Sequence, residues 1–156
     1  MRHALVLLSA LLMVPPALDA GGGQAPALFD DAVPPAGRSV PSDPAILRAR
    51  YVTVRFGLLD GPPGSAPGAA ETLTLNPFPG VVLTAVRDDL VPTSSGQGYV
   101  WLGHVLTQEP NRVALVVEDG VMAGNVRAGS AFYQVRYAGE GVHLVYEIDP
   151  RAFGPD

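Results

Sequence analysis

Apolar residues recur at every second position from residue 51 onward, in short runs separated by turn signals. This period is typical of a half-buried strand, and no run keeps the 3.6-residue period of a helix. The runs cover residues 51–58, 72–75, 81–87, 99–107, 112–118, 121–127, 131–138 and 142–148. The chain is therefore expected to be a β protein.

Two turns predict how these strands are connected. Asp119-Gly120 suits the positive φ angles of a tight hairpin, and residues 139–141 (Gly-Glu-Gly) give a second hairpin signal. We predict an all-β fold, an antiparallel up-and-down meander of about seven to eight strands that forms a sandwich or partial barrel. The predicted core comprises Val52, Val54, Phe56, Val100, Leu102, Val113, Leu115, Val117, Val142, Leu144, Tyr146 and Ile148.

The segment before these strands has a different composition. Residues 21–47 are rich in Pro, Gly and Ala and are expected to form a flexible leader, with Leu28 and Phe29 as docking residues. The prolines leave no room for a regular element in residues 21–44, so we expect their removal to change the melting temperature little. The β domain is assigned to residues 48–150 and a flexible tail to residues 151–156.

The first 20 residues have the layout of a signal peptide. Arg2 precedes an apolar run at residues 4–14, and prolines and small residues then lead to a cleavage site after Ala20. The run is too short to cross roughly 30 Å of hydrocarbon. The sequence therefore predicts a secreted or periplasmic protein without a transmembrane segment.

Composition excludes several classes of function. The net charge is −5 and the basic residues, all arginine, are scattered, which argues against nucleic acid or an anionic membrane as partner. The chain has no cysteine, so disulfides, thiol catalysis and cysteine zinc sites are absent.

The polar residues give no recognisable catalytic pattern. His104 and His143 lie on separate predicted strands, whereas a zinc site needs about three converging ligands. By strand parity we expect His104 to be partly buried and His143 to face solvent. The serines lie in ordinary turns, and no Gly-x-Ser-x-Gly or nucleotide fingerprint occurs. We predict no catalytic residue, no metal site, no cofactor and no enzymatic activity.

Four aromatic residues share a parity within their predicted strands: Tyr99, Trp101, Tyr133 and Tyr137. An exposed strip of this kind stacks on sugar rings or on a partner protein. The same parity also fits the second apolar face of a sandwich, where aromatic strand residues are more common.

The second half of the chain resembles a known family. The resemblance is carried by residues 83–89 (Leu-Thr-Ala-Val-Arg-Asp-Asp), 98–105 (Gly-Tyr-Val-Trp-Leu-Gly-His-Val), 113–127, 133–137 and 141–149. Their order resembles the amino-terminal pro-domain of secreted bacterial reprolysin-like (metzincin) zinc metalloendopeptidases, over roughly residues 52–153. This resemblance implies a β-rich domain that precedes a catalytic domain. The sequence holds no His-Glu-x-x-His segment, so no catalytic residue carries over.

Three functions follow from these observations. The favoured one is an exported non-catalytic domain that binds, inhibits or assists a secreted zinc metalloprotease or an envelope protein. The alternatives are a truncated or split zymogen fragment and a surface carbohydrate-binding module that uses the aromatic strip. In an inhibitor, the carboxylate of Asp156 would replace the cysteine with which many metzincin pro-domains block zinc. A merely solvated tail is the simpler alternative.

Overall fold

Nine strands form one continuous sheet in the computed structural model, which describes residues 25–61, 63–107 and 109–153. Short 3₁₀ helices occupy Phe56–Leu58 and Pro150–Phe153. The strands are β1 (Phe29–Asp31), β2 (Ile46–Val54), β3 (Thr72–Leu75), β4 (Leu83–Pro92), β5 (Gly98–Val105), β6 (Arg112–Glu118), β7 (Val121–Ala128), β8 (Ala131–Gly139) and β9 (Val142–Ile148).

The strand order is that of a nearly closed, antiparallel barrel. Strands β3 to β9 follow one another as an up-and-down meander, and β2 then pairs with β9 and β1 with β2. The predicted all-β antiparallel meander is confirmed, with a barrel as its form. The Asp119-Gly120 hairpin is also confirmed, since Glu118 pairs with Val121 across it.

The two ends of this strand order meet at the segment before β1. Ala27 forms a parallel bridge with Thr74, and the Leu28 amide donates to the Thr74 carbonyl over 2.9 Å. The Asn76 carboxamide then binds the backbone of Phe29: its Oδ1 accepts from the Phe29 amide at 2.9 Å, and its Nδ2 donates to the Phe29 carbonyl at 2.7 Å. The side chain of Asn76 thus pairs with both the amide and the carbonyl of Phe29, as a residue of a neighbouring strand would otherwise do.

Side chains fill the barrel interior, with Trp101 at its centre. The indole is fully buried and its Nε1 donates to the Ala70 carbonyl over 2.9 Å. Gly103 is the next inward position on β5, and a Cβ there would lie 2.2 Å from the Val86 carbonyl oxygen and 2.6 Å from the indole ring. Only glycine leaves room for the tryptophan at this point.

The inward face of β5 is the opposite of the predicted one. Trp101 and Val105 are buried, whereas Val100 and Leu102 are half-buried on the outer face. Both parities of this strand are apolar, so alternation alone does not select a face. The inward face is selected by the strand register, which places Trp101 opposite the buried Leu115.

The expected limit of β2 also needs correction. The chain leaves this strand after Val54, and Phe56 lies half-buried in a 3₁₀ helix instead of continuing the strand. Val142 is likewise half-buried, while the predicted core positions of β6 are buried.

The expectation that residues 21–44 hold no regular element is wrong at β1. Its first residue Phe29 and the preceding Leu28 are both buried in the core, so hydrophobic burial overrides the local effect of the nearby prolines. Strand β2 begins at Ile46, just before the expected domain boundary at residue 48.

Residues 32–45, which we call the strap, cover the outer face of β2, β8 and β9. A second apolar cluster lies beneath it: Tyr51, Leu144, Tyr146 and Ile148.

Leu28→Ala is therefore expected to destabilise the protein by about 2–5 kcal/mol, because it leaves a cavity in the core. Chemical denaturation measures this loss. Val33→Ala is the matched control in the same segment, since Val33 is 82% exposed, and it is expected to change stability by less than about 0.5 kcal/mol. Equal stability of the Leu28→Ala variant and the unsubstituted protein would contradict the packing of this segment.

Candidate functional site

A cleft of about 440 Å³ opens at one end of the barrel. It lies between the loop that follows the first 3₁₀ helix and the β6–β7 hairpin. Its floor is apolar and includes Phe56, Leu90, Tyr99 and Val117, and its rim carries Asp60, Glu118 and Asp119. We call it the mouth cleft.

The β6–β7 hairpin positions two of the rim carboxylates. Asp119 and Gly120 have φ angles of 50° and 70°, which a tight turn between right-handed twisted strands requires. Glu118 ends β6, and its carboxylate accepts a hydrogen bond from the Ser95 hydroxyl of the neighbouring turn. The hairpin therefore places both acids at the rim, and the Ser95 hydroxyl holds the carboxylate of Glu118.

The third rim carboxylate, Asp60, is fixed by the loop beside it. Its Oδ1 accepts a hydrogen bond from the Gly68 amide at 3.1 Å. Gly68 has a φ of 74°, and a Cβ there would lie 2.7 Å from the Tyr99 ring, so the loop backbone packs directly on that ring. Burial, together with the nearby Asp60 charge, raises the pKa of Tyr99 to about 12. The phenol of Tyr99 thus stays protonated and neutral in the cleft at neutral pH.

None of the three rim carboxylates forms an ion pair with another residue in the described ranges. The carboxylates that pair with an arginine belong to Asp30, Asp31, Glu147 and Asp149, and that of Asp88 lies 2.8 Å from the ring of His104. Unpaired carboxylates above aromatic and aliphatic side chains suit a group with a positive head and an apolar stem.

The structure does not bring the two histidines together. His104 lies on the outer face of β5, its side chain 36% exposed, with Nδ1 at 2.8 Å from Asp88 Oδ1. This agrees with the expected partial burial. Within residues 25–61, 63–107 and 109–153 no group of three or more His, Asp or Glu side chains is arranged to hold a metal ion.

The expectation that His143 faces solvent is wrong, because this side chain is fully buried. The outer face of β9 is itself apolar and lies under the strap, so its alternate residues point into the barrel instead. Nε2 accepts a hydrogen bond from the Met122 amide at 3.0 Å. The ring packs edge-on against Phe56 and Tyr137 at centroid distances of 6.0 Å and 5.2 Å.

The four aromatic residues do not form an exposed strip. Trp101 and Tyr133 are buried in the core, Tyr99 is half-buried at the mouth cleft, and Tyr137 is 45% exposed. Their shared parity points into the barrel, which corresponds to the alternative of an apolar inner face. Trp101 therefore has no accessible ring on which a sugar or a partner could stack.

Other sequence expectations fall on residues outside the described ranges. These are the signal peptide at residues 1–20 and the zinc-blocking Asp156. Among the described residues, no helix is long and apolar enough to cross a membrane.

Sequence reasoning missed the rim carboxylates, although one signal pointed to them. In an up-and-down meander alternate connections lie at the same end of the sheet. The loop after β2 and the β6–β7 hairpin are such connections, so Asp60 and Asp119 belong to one end of the barrel.

Comparison of the chain with protein-family models, with curated proteins and with solved structures finds no match. The resemblance to metalloendopeptidase pro-domains stays a prediction.

The buried His143 generates a prediction for stability against pH. Burial lowers its pKa below the ordinary 6.5, and the Gly141 backbone partly opposes this shift. The unfolded chain then takes up the proton at a higher pH than the folded chain. The contribution of His143 to the free energy of unfolding is therefore complete at a pH above the ordinary pKa. As the pH falls from the ordinary pKa to the pKa in the folded chain, this free energy decreases by at most about 1.4 kcal/mol per pH unit.

Denaturant titrations between about pH 7.5 and pH 5.5 measure this dependence. We expect His143→Gln to flatten it relative to the unsubstituted protein. The same slope in this variant and in the unsubstituted protein would rule out His143 as its source.

Proposed function

We propose that this chain is an exported, non-catalytic binding domain that holds a basic side chain of a partner protein in the mouth cleft. The observation that carries the proposal is the set of three rim carboxylates without ion-pair partners in the described residues, placed above an apolar floor.

The chemistry of the cleft favours arginine or lysine over a purely apolar group. Either residue has an aliphatic stem that can pack on Phe56 and Leu90, and a charged head that can reach the carboxylates. The positive head also relieves the repulsion among neighbouring acids. The volume of about 440 Å³ lies within the usual range of ligand pockets, roughly 300–1,000 Å³.

A secreted zinc metalloendopeptidase is the partner that the resemblance implies. Residues 83–149, which carry that resemblance, coincide with the continuous meander from β4 to β9, so the similar segments belong to one folded unit. A binding domain of this kind would inhibit the protease or assist its folding. A split zymogen fragment would bind in the same way and remains an alternative. We do not retain the carbohydrate-binding module, because Trp101 is buried.

The mouth cleft is tested by titration with the peptide acetyl-Leu-Arg-Leu-amide, followed through the amide signals of Gly96, Gly98 and Gly120, which line the cleft. The analogue with citrulline keeps the shape of arginine without its charge. We expect this analogue to bind roughly fivefold more weakly or worse. Equal affinity of the two peptides, or no shift at these glycines, would refute a cation site.

Two substitutions each neutralise one of the three rim carboxylates without disturbing the geometry of the rim. Asp60→Asn keeps the acceptor for the Gly68 amide, and Asp119→Asn suits the positive φ angle of that position. Each is expected to weaken peptide binding roughly two- to fivefold. The matched control is Glu140→Gln, which removes one exposed charge from another hairpin and is expected to leave the affinity unchanged. If Glu140→Gln weakened peptide binding as much as the rim variants do, the affinity would depend only on net charge, and the rim carboxylates would have no specific role.

The class of partner needs a separate test. The purified chain is added to a secreted reprolysin-like zinc endopeptidase from the same source, and hydrolysis of a peptide substrate is followed. We expect a dose-dependent slowing that the Asp60→Asn and Asp119→Asn double variant reduces. Peptide binding without any effect on the protease would support the mouth cleft as a binding site and would rule out the protease as its partner.

A further inference from the structure

A second cavity lies between the strap and the outer face of β2, β8 and β9, with a volume of about 150 Å³. A water molecule occupies about 30 Å³ in the liquid, so the space suits a few waters or one small ion. We call it the strap cavity. Its polar lining comes from Arg38, Ser39, Tyr51, Arg136 and Tyr146, and Tyr137 borders it.

Tyr51 brings an unsatisfied polar group to this cavity. The residue is only 8% exposed, and its hydroxyl is buried without a hydrogen-bond partner among the described residues. Such a group destabilises a fold unless something bonds to it, and most buried hydroxyls in proteins are bonded. The hydroxyl therefore indicates that a water molecule or a bound ligand completes the site.

Two arginines give the cavity a positive charge. Arg38 comes from the strap and Arg136 from β8, and neither forms an ion pair with a described carboxylate. Nη2 of Arg136 donates to Gln134 Oε1 at 2.9 Å, and its guanidinium carbon lies 5.7 Å from the centre of the Tyr146 ring. This arginine is thus held at the cavity wall with further N–H donors to offer.

The remaining groups of the cavity add donors and no negative charge. Burial, assisted by the neighbouring Tyr51 and opposed by the Arg136 charge, raises the pKa of Tyr146, so its hydroxyl stays protonated at neutral pH. Among the described residues, no acid lines the strap cavity. Asp43 lines the adjoining cleft, where its Oδ1 accepts the Ala45 amide at 2.9 Å.

We propose that the strap cavity binds a small oxyanionic group, a carboxylate or a phosphate. Arg38 and Arg136 supply the charge, and the hydroxyl of Tyr51 donates to an oxygen of the ligand. Because one arginine belongs to the strap and the other to the barrel, the bound anion fastens the strap to the sheet. The site is independent of the mouth cleft, which lies at the barrel end and has the opposite charge.

Thermal unfolding in inorganic phosphate, in acetate and in chloride at matched ionic strength and pH tests this site. We expect phosphate or acetate to raise the melting temperature by about 3 °C or more above chloride, with saturation. A rise with phosphate alone identifies a phosphate-type ligand, and a rise with acetate alone identifies a carboxylate. No rise above chloride would refute the proposal and leave water in the cavity.

Tyr51→Phe separates a built site from a general salt effect. Phosphate also stabilises proteins by exclusion from their surface, and that contribution is common to all variants. The substitution removes the unpaired hydroxyl, so we expect a higher melting temperature in chloride and a much smaller rise with the anion. A lower melting temperature in chloride, or an undiminished rise, would overturn the role given to this hydroxyl.

Arginine variants provide the charge control. Arg38→Gln and Arg136→Gln are expected to remove most of the anion-dependent rise without raising the melting temperature in chloride. Arg112→Gln removes the same charge from an exposed position at the start of β6, outside the cavity, and is expected to retain the full rise. An equal loss in all three variants would assign the effect to net charge and refute the site.

Discussion

The contact of residues 27–29 with Thr74 and Asn76 at the end of β3 closes the nine strands into a barrel instead of an open sheet. It consists of the hydrogen bond between Leu28 and Thr74 and the two bonds that Asn76 makes to Phe29. Without it, β1 and β3 would be edge strands with exposed backbone groups, which promote association between chains. The contact also holds Leu28 and Phe29 over the core that surrounds Trp101. The closed interior of the barrel therefore depends on a few bonds made by a proline-rich segment.

Local signals predicted the meander well because each hairpin is specified by neighbouring residues. Alternation marked the strands, and Asp119-Gly120 supplied the backbone angles of its turn. Strand β1 escaped this reasoning for a physical reason. It has three residues, too few for a period, and it is stabilised by pairing with β2 and by a side chain 47 residues away in sequence. No local pattern encodes such distant contacts.

Alternation did not predict which face of β5 or of β9 points into the barrel, because both faces of β5 are apolar and both faces of β9 carry buried residues. In β9 the reason is the strap, which adds a layer outside the barrel and buries Leu144 and Tyr146. In β5 one signal was available: Gly103 shares the parity of Trp101, and a glycine beside a large aromatic residue marks the crowded face. The two candidate sites escaped prediction because they join distant parts of the chain, such as the strap with β8.

The pairing of β2 with β9 limits the order in which the strands can assemble during folding. Arg48 and its partner Glu147 are separated by 99 positions in sequence, so β2 is synthesised long before its neighbour exists. Contacts of such separation slow folding, because a large loop must close before they form. Until β9 arrives, the meander from β3 to β8 has an open side and an apolar interior exposed to other chains. We therefore expect the barrel to close late in folding, and the chain to be most exposed to aggregation before it closes.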